Sequence, residues 1–229
     1  MKIAIIPARS GSKRIKEKNI KNFFGFPMIY WPILIAKKSK IFDKIIVSTD
    51  SNKIAKIAKK YGAEIPFVRN KKISSDKTPV IEVIKDSLRF FKEKKIKISL
   101  CCMIYPTAVL MNTKDLKKGF IKIKNKKTNF VISISKLPIK YSESLIIKNR
   151  KLYPIFKKKI LNHSNKFKDN FYETAQFVYG KPKSWLKSKN ALLDSADFVL
   201  IPNYRGQDVN NNQDLKNVKE IFQLIKKKK

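Results

Sequence analysis

The chain has 229 residues, enough to bury the core of one domain. Its 53 lysines and arginines against 17 acidic residues give a formal net charge of +36. A single histidine rules out a His-rich zinc site, and no apolar run approaches the ~18 residues of a membrane span.

In chain order, the apolar run over 1–6 is too short for a signal peptide and stops at Pro7-Ala8-Arg9, so the expected compartment is the cytoplasm. Lys2–Pro7 and Lys44–Ser48 read as buried strands, short, β-branched and followed by turn chemistry. Between them a helix begins within 28–36, where Pro32 implies a kink or a start later than Pro27 suggests. Ile54, Ile57, Ala58 and Tyr61 fall at helical spacing, with Ser51 as N-cap and Gly62 as the stop. Residues 64–68 read as a third strand. Thr78-Pro79 opens a helix carrying Ile81, Ile84, Leu88 and Phe91, with proline at the favoured first position. A strand over 98–104, a helix around Leu116, Phe120 and Ile123, and a strand over 130–135 repeat the pattern. Cys101 and Cys102 are neighbours on a strand, point to opposite faces, and read as core. Alternation lapses over 137–168, which is lysine-rich and weakly periodic and reads as an insertion. Strands at 176–179 and 198–201 follow. A final amphipathic helix carries Leu215, Val218, Phe222 and Ile225. The whole predicts one α/β domain over 1–229, a Rossmann-like, mostly parallel sheet with helices on both faces and a small insertion.

The positive charge invites a nucleic-acid reading. Only six of the basic residues are arginine (9, 14, 69, 89, 150 and 205), whereas base and phosphate readers lean on the arginine fork. The lysine excess, with abundant isoleucine and asparagine, fits codon bias spread over solvated faces. Nucleic acid is therefore not expected as the primary partner, and the rare arginines are the informative basic residues.

Active sites of such sheets lie at the carboxyl ends of strands. The first strand runs into Pro7-Ala8-Arg9-Ser10-Gly11-Ser12-Lys13-Arg14, then Lys16, Lys18 and Asn19. Six of the thirteen residues over 9–21 are basic. Small residues let backbone N–H groups approach an anion, and the cationic side chains neutralise a polyphosphate. Neither a Walker loop nor a G-x-G-x-x-G turn is present.

This segment, with Ile5-Ile6 before it, closely resembles the N-terminal signature of the acylneuraminate cytidylyltransferases. The similarity continues through Gly25-x-Pro27-Met28, Ile45-Ile46-Val47-Ser48-Thr49-Asp50, Arg69 ahead of Ser75-Asp76, and Gln207-Asp208-Val209. It implies the nucleotide-diphospho-sugar transferase type of fold and transfer of CMP from CTP to a nine-carbon acidic sugar, with Mg²⁺ as cofactor. It also implies a homodimer, with the 137–168 insertion pairing the subunits and closing over the sugar. Arg9, Ser12, Lys13 and Lys18 would cradle the triphosphate, and Asn19 would touch the ribose. Arg69 with Ser75 and Asp76 would read cytosine, Asp50 being either part of this motif or a plain helix cap. Arg9, Lys18 and Asp208 would be the catalytic set.

The subgroup that activates pseudaminic acid reads Cys-Cys-x-Tyr-x-Thr-Ala on its fourth strand. Cys101-Cys102-Met103-Ile104-Tyr105-Pro106-Thr107-Ala108 resembles it with one residue more before the tyrosine. Phe171-Tyr172-Glu173-Thr174-Ala175-Gln176-Phe177 resembles a later motif loosely. Tyr105, Thr107, Gln176 and Phe177 are thus the expected sugar-binding residues, with His163 or Lys140 as the cation for the sugar carboxylate. The family's metal motif, Asp-Ile-Asp-Thr, is here Asp208-Val209-Asn210-Asn211. Alternate residues of an extended segment share a face, so Asp208 and Asn210 are expected to converge on one ion, the amide lending an oxygen without charge. Two other readings are a related nucleotidylyltransferase for sialic, legionaminic or 3-deoxy-manno-octulosonic acid, and a non-catalytic nucleotide or nucleic-acid binder on the same fold.

Overall fold

The computed structural model describes residues 1–138, 143–156 and 169–227. The chain opens with β1 (Lys2–Pro7), a small hairpin of β2 (Asn22–Phe23) and β3 (Phe26–Pro27), α1 (Tyr30–Ser39), β4 (Lys44–Ser48) and α2 (Asn52–Lys60). There follow α3 (Val80–Glu93), β5 (Leu100–Ile104), α4 (Thr113–Ile123), β6 (Phe130–Lys136) and a second hairpin, β7 (Leu145–Lys148) with β8 (Lys151–Pro154). Strand β9 (Phe171–Gly180), α5 (Pro182–Lys187), β10 (Ala196–Leu200) and α6 (Asn212–Lys227) complete the order.

Six strands form one sheet in the order β10-β6-β9-β5-β1-β4. Its neighbours are parallel except where β9 meets β5 and β6, against both of which it runs antiparallel. This is the expected mostly parallel α/β sheet with one reversed strand. The reversal was not legible because β9 follows the insertion, and a strand entering after a long excursion is free to come from either end.

The two-residue period of β1 sorts the core into layers. Ile3 and Ile5 pack with Ile84, Leu88 and Phe91 of α3 and Trp185 of α5. Ala4 and Ile6 pack on the opposite face with Ile33 of α1, Ala58 of α2 and Leu116 of α4. Cys101 belongs to the first layer and Cys102 to the second, both fully buried and free. A third cluster joins Phe23, Met28 and Trp31 to Val209 and to Leu215, Val218 and Phe222 of α6. Each such side chain contributes ~1.5–3 kcal/mol on burial, and here they also peg the turn around Val209.

The helix starts follow the sequence with small corrections. Helix α1 begins at Tyr30, so Pro32 sits in its first turn, where a missing N–H breaks no helical bond. Ser51 caps α2, its hydroxyl accepting from the Ile54 N–H at 3.3 Å, and Gly62 ends that region with φ +88. Pro79 lies at the N-cap of α3 rather than at its first residue. The strand expected over 64–68 reduces to one parallel bridge between Glu64 and Ile46, since Pro66 has no N–H to extend the ladder. The described part of the insertion is the β7–β8 hairpin. His163 and Lys140 lie outside the described residues.

Candidate active site

A cleft of about 440 Å³ opens at the carboxyl ends of β1, β4 and β5. All eight residues expected to hold nucleotide line it: Arg9, Ser12, Lys13, Lys18, Asn19, Arg69, Ser75 and Asp76. So do Tyr105, Thr107, Asp208, Asn210 and a further cation, Arg14.

The loop after β1 is held open by its neighbours. The Ser10 N–H and hydroxyl donate to the two Asp50 carboxylate oxygens, each at 2.8 Å. Burial acts to raise the Asp50 carboxyl, but the Ser10 bonds, its own backbone N–H and the charge of Arg69 together hold it below its ordinary value. Asp50 is thus the anchor of the basic loop and not a helix cap, a role taken by Ser51. Asn19 is buried and braces the loop from within, its amide nitrogen donating to the Arg9 carbonyl at 2.9 Å. Lys18 Nζ donates to the Val209 carbonyl at 2.6 Å. Burial lowers its affinity for a proton, Asp208 opposes that, and Arg14 and Arg9 reinforce it. Cations crowded to this degree favour an anion among them.

Asp76 answers part of that demand. Its carboxylate pairs with Arg9 and, at 3.0 Å, with Lys13, and both partners hold it below its ordinary value. It therefore lies against the phosphate-loop cations, rather than beside Arg69 as the sequence reading placed it. Arg69 is the opposite case, with 3 % of its surface exposed and no hydrogen-bond partner for Nε or Nη2. Asp50 Oδ1 stands 3.8 Å from Nη2. Arg69 lines the cleft, and a buried guanidinium with unmet donors in its wall suits a ligand edge made of acceptors.

At the far wall, the Tyr105 hydroxyl donates to Glu173 Oε1 at 2.9 Å. Burial pushes the Glu173 carboxyl above its ordinary value, with Asp208 adding to the effect. Sequence reasoning gives Glu173 no role of its own; the signal for it is that it is the one carboxylate of β9. Gln176 and Phe177 correct the sequence reading, because neither reaches the cleft. Phe177 is fully buried between sheet and helix, and Gln176 donates to the Arg205 carbonyl at 2.5 Å beneath the surface. Both lie within the bulge of β9, between Glu173 and Val178, where the register against β6 shifts, and both side chains are held below the surface.

Asp208 and Asn210 do converge, but on each other. Asp208 Oδ1 accepts from the Val209 N–H at 2.7 Å, and Oδ2 accepts from Asn210 Nδ2 at 2.8 Å. Gly206 lets the approaching segment pass close to the sheet: an added Cβ would stand 2.6 Å from the Tyr172 hydroxyl and 2.9 Å from Ser135 Cβ. Among the described residues no three histidine, cysteine, aspartate or glutamate side chains cluster to hold a metal. Mg²⁺ commonly takes one or two carboxylates and completes its shell with water and substrate phosphates. Asp208 fits an ion that arrives with a nucleotide, whereas Asn210 does not offer its oxygen toward Asp208.

A protein-family model described as "Cytidylyltransferase" matches residues 3–195. The pseudaminic acid cytidylyltransferase of Campylobacter jejuni is 29% identical, over 97% of this chain and 96% of that protein. The CMP-N,N'-diacetyllegionaminic acid synthase of Legionella pneumophila is 32% identical, over 61% of this chain and 60% of that protein. Among solved structures, CMP:2-keto-3-deoxy-manno-octonic acid synthetase complexed with CTP shares the fold, with a TM-score of 0.73 and 12% identity over 98% of this chain and 99% of that one.

Proposed function

The chain belongs to the cytidylyltransferase family and is a CTP-dependent nucleotidyltransferase, and from that premise we propose that it transfers CMP to the anomeric hydroxyl of a nonulosonic acid, pseudaminic acid foremost, releasing pyrophosphate. One observation carries the reading. Cations from separate loops meet at a single cleft beside a buried arginine whose donors are unmet.

Arg9, Ser12, Lys13 and Lys18 take the triphosphate, which displaces the Asp76 carboxylate from Arg9 and Lys13. Asn19 stands by the ribose. Arg69 donates to the O2 and N3 acceptors of cytosine, an edge uracil does not share because its N3 carries a proton. Asp76, released from Arg9 and Lys13, and Ser75 then close on the base. Tyr105 and Thr107 line the sugar side. The anomeric oxygen attacks the α-phosphorus in line with the pyrophosphate it expels, and alignment with charge neutralisation supplies the acceleration. No enzyme nucleophile is needed. Asp208 would hold Mg²⁺, whose chemistry is to neutralise charge on the phosphates and the leaving group.

The enzyme works as a homodimer in this reading. The β7–β8 hairpin exposes Leu145, Ile147 and Leu152 at 50%, 72% and 65% of their surfaces. A two-stranded hairpin is marginal by itself, and a second copy of the chain would cover it. The cytoplasm, which supplies CTP and keeps free thiols such as Cys101 and Cys102 reduced, is the proposed compartment. No helix among the described residues is long and apolar enough to cross a membrane.

Pyrophosphate release measured with each of the four nucleoside triphosphates and a panel of acidic sugars, with and without Mg²⁺, tests the assignment. CTP with pseudaminic acid should give the highest kcat/KM. Preference for sialic, legionaminic or 3-deoxy-manno-octulosonic acid would move the substrate, and silence on every pair would mark a binder on this fold.

A further inference from the structure

The turn that carries Asp208 is fixed from several sides. Val209 is fully buried, and its carbonyl accepts from Lys18. The backbone N–H groups of Asn210 and Asn211 both donate to Asp214 Oδ2, at 2.8 and 3.1 Å. Inside that frame the Asn210 amide has a partner at each end. Nδ2 donates to Asp208 Oδ2 at 2.8 Å, and Oδ1 accepts from Arg14 Nη2 at 3.0 Å. Turning the amide over would set N–H against N–H at Arg14 and oxygen against oxygen at Asp208, so the chemistry of the two neighbours dictates its orientation. The oxygen a metal ion would need is on the side of a guanidinium, and the end facing Asp208 is an N–H, which no cation can use. Arg14 is itself exposed, forms no ion pair among the described residues, and lines the same cleft as Arg9 and Lys18.

We propose that Asn210 is a positioning residue and not a metal ligand: it aims Arg14 into the cleft as a ligand for the phosphates of the nucleotide and fixes the rotamer of Asp208. The inference rests on the CTP reading above and adds a residue to it. Neutralisation of the triphosphate is then built largely into the protein, through Arg9, Lys13, Arg14 and Lys18. Nucleotide binding should therefore survive removal of the metal, because a charge-assisted phosphate contact from Arg14 stands where a second carboxylate would have required an ion.

Calorimetric titration with CTP alone, so that nothing turns over, in EDTA and in millimolar Mg²⁺ tests this. The wild-type chain should bind CTP within about fivefold in the two buffers, and Arg14→Ala should lose at least about tenfold in EDTA. Arg14→Lys should recover part of the loss, since it keeps the charge and not the fork. Asn210→Ala should reproduce much of the Arg14→Ala effect, and the double variant should add little to either, a coupling that general damage to the fold would not produce. Mn²⁺ counted by electron paramagnetic resonance beside bound CTP should stay within about twofold in Asn210→Ala and weaken at least about tenfold in Asp208→Asn. Arg14→Ala binding CTP like wild type in EDTA, or Asn210→Ala losing Mn²⁺ as Asp208→Asn does, overturns the proposal. Wild-type binding that needs Mg²⁺ overturns it alone. No CTP binding in either buffer would bring down the CTP reading and this inference together.

Discussion

Arg69 is buried with no protein group hydrogen-bonded to its Nε or Nη2, and that is costly unless a ligand is expected. Each unmet buried donor costs about 1–3 kcal/mol, and Arg69 leaves Nε and Nη2 without partners. Arg69→Met should therefore raise the thermal midpoint of the ligand-free protein by a few degrees while weakening CTP binding at least about tenfold. Differential scanning fluorimetry and a CTP titration on the same variant check both halves. A variant that loses stability would show that Asp50, 3.8 Å away, makes the arginine a structural ion pair instead. The sequence made much of this site legible, because the basic loop, Arg69, Tyr105 and Asp208 each belong to a recognisable local pattern at a strand end. It did not show that Asp76 lies on Arg9 and Lys13, or that Asp50 anchors Ser10. Those contacts join residues about 40 to 70 positions apart, and no local pattern encodes which carboxylate meets which cation.

Strand β9 shows how an element turns composition into a site. Its register shifts between Ile132 and Ile134 of its partner, and Ala175 sits at φ +49, a left-handed conformation usually left to glycine. The irregularity releases Glu173 toward Tyr105 while Phe177 and Tyr179 return to the core. Helices and parallel strands were legible from periodicity, since their signals are local. The bulge was not, because it depends on the partner strand. Its consequence is a half-buried carboxyl whose folded value is raised. A raised carboxyl favours folding while protonated, so this contribution is present below the ordinary glutamate range and is lost as pH climbs through the folded value. Glu173→Gln keeps an acceptor for the Tyr105 hydroxyl and cannot ionise. It should leave stability nearly unchanged near pH 4 and raise the midpoint by a few degrees at pH 8, at about 2–4 °C per kcal/mol for a chain of this size. Melting curves across that range measure it. An equal gain at both ends, or a loss at pH 8, would mean that ionisation of Glu173 is met by groups other than Tyr105.

At the scale of the whole molecule, two features pull against each other. In the proposed dimer the exposed apolar side chains of the β7–β8 hairpin would be covered by a second copy, yet each copy carries a formal charge of +36. Like charges of that size oppose association, and salt screens them, with a Debye length of about 10 Å at 0.1 M. Dimerisation should therefore tighten as salt rises, the reverse of binding to nucleic acid, where counterion release makes affinity fall steeply with salt. Sedimentation of the protein from about 50 to 500 mM salt should show the dimer fraction growing. Random-sequence DNA, bound weakly at the low end, should be released over the same range. Ile147→Lys with Leu152→Lys adds two charges on the exposed hairpin, and in consequence should yield a monomer at micromolar concentration whatever the salt. The CTP cleft is built from other elements, so CTP binding should stay within about twofold of wild type. A dimer that dissociates with added salt would place the interface on charged groups instead of the hairpin. A double variant that still pairs would leave Leu145, Ile146 and the facing strand without the role assigned to them here.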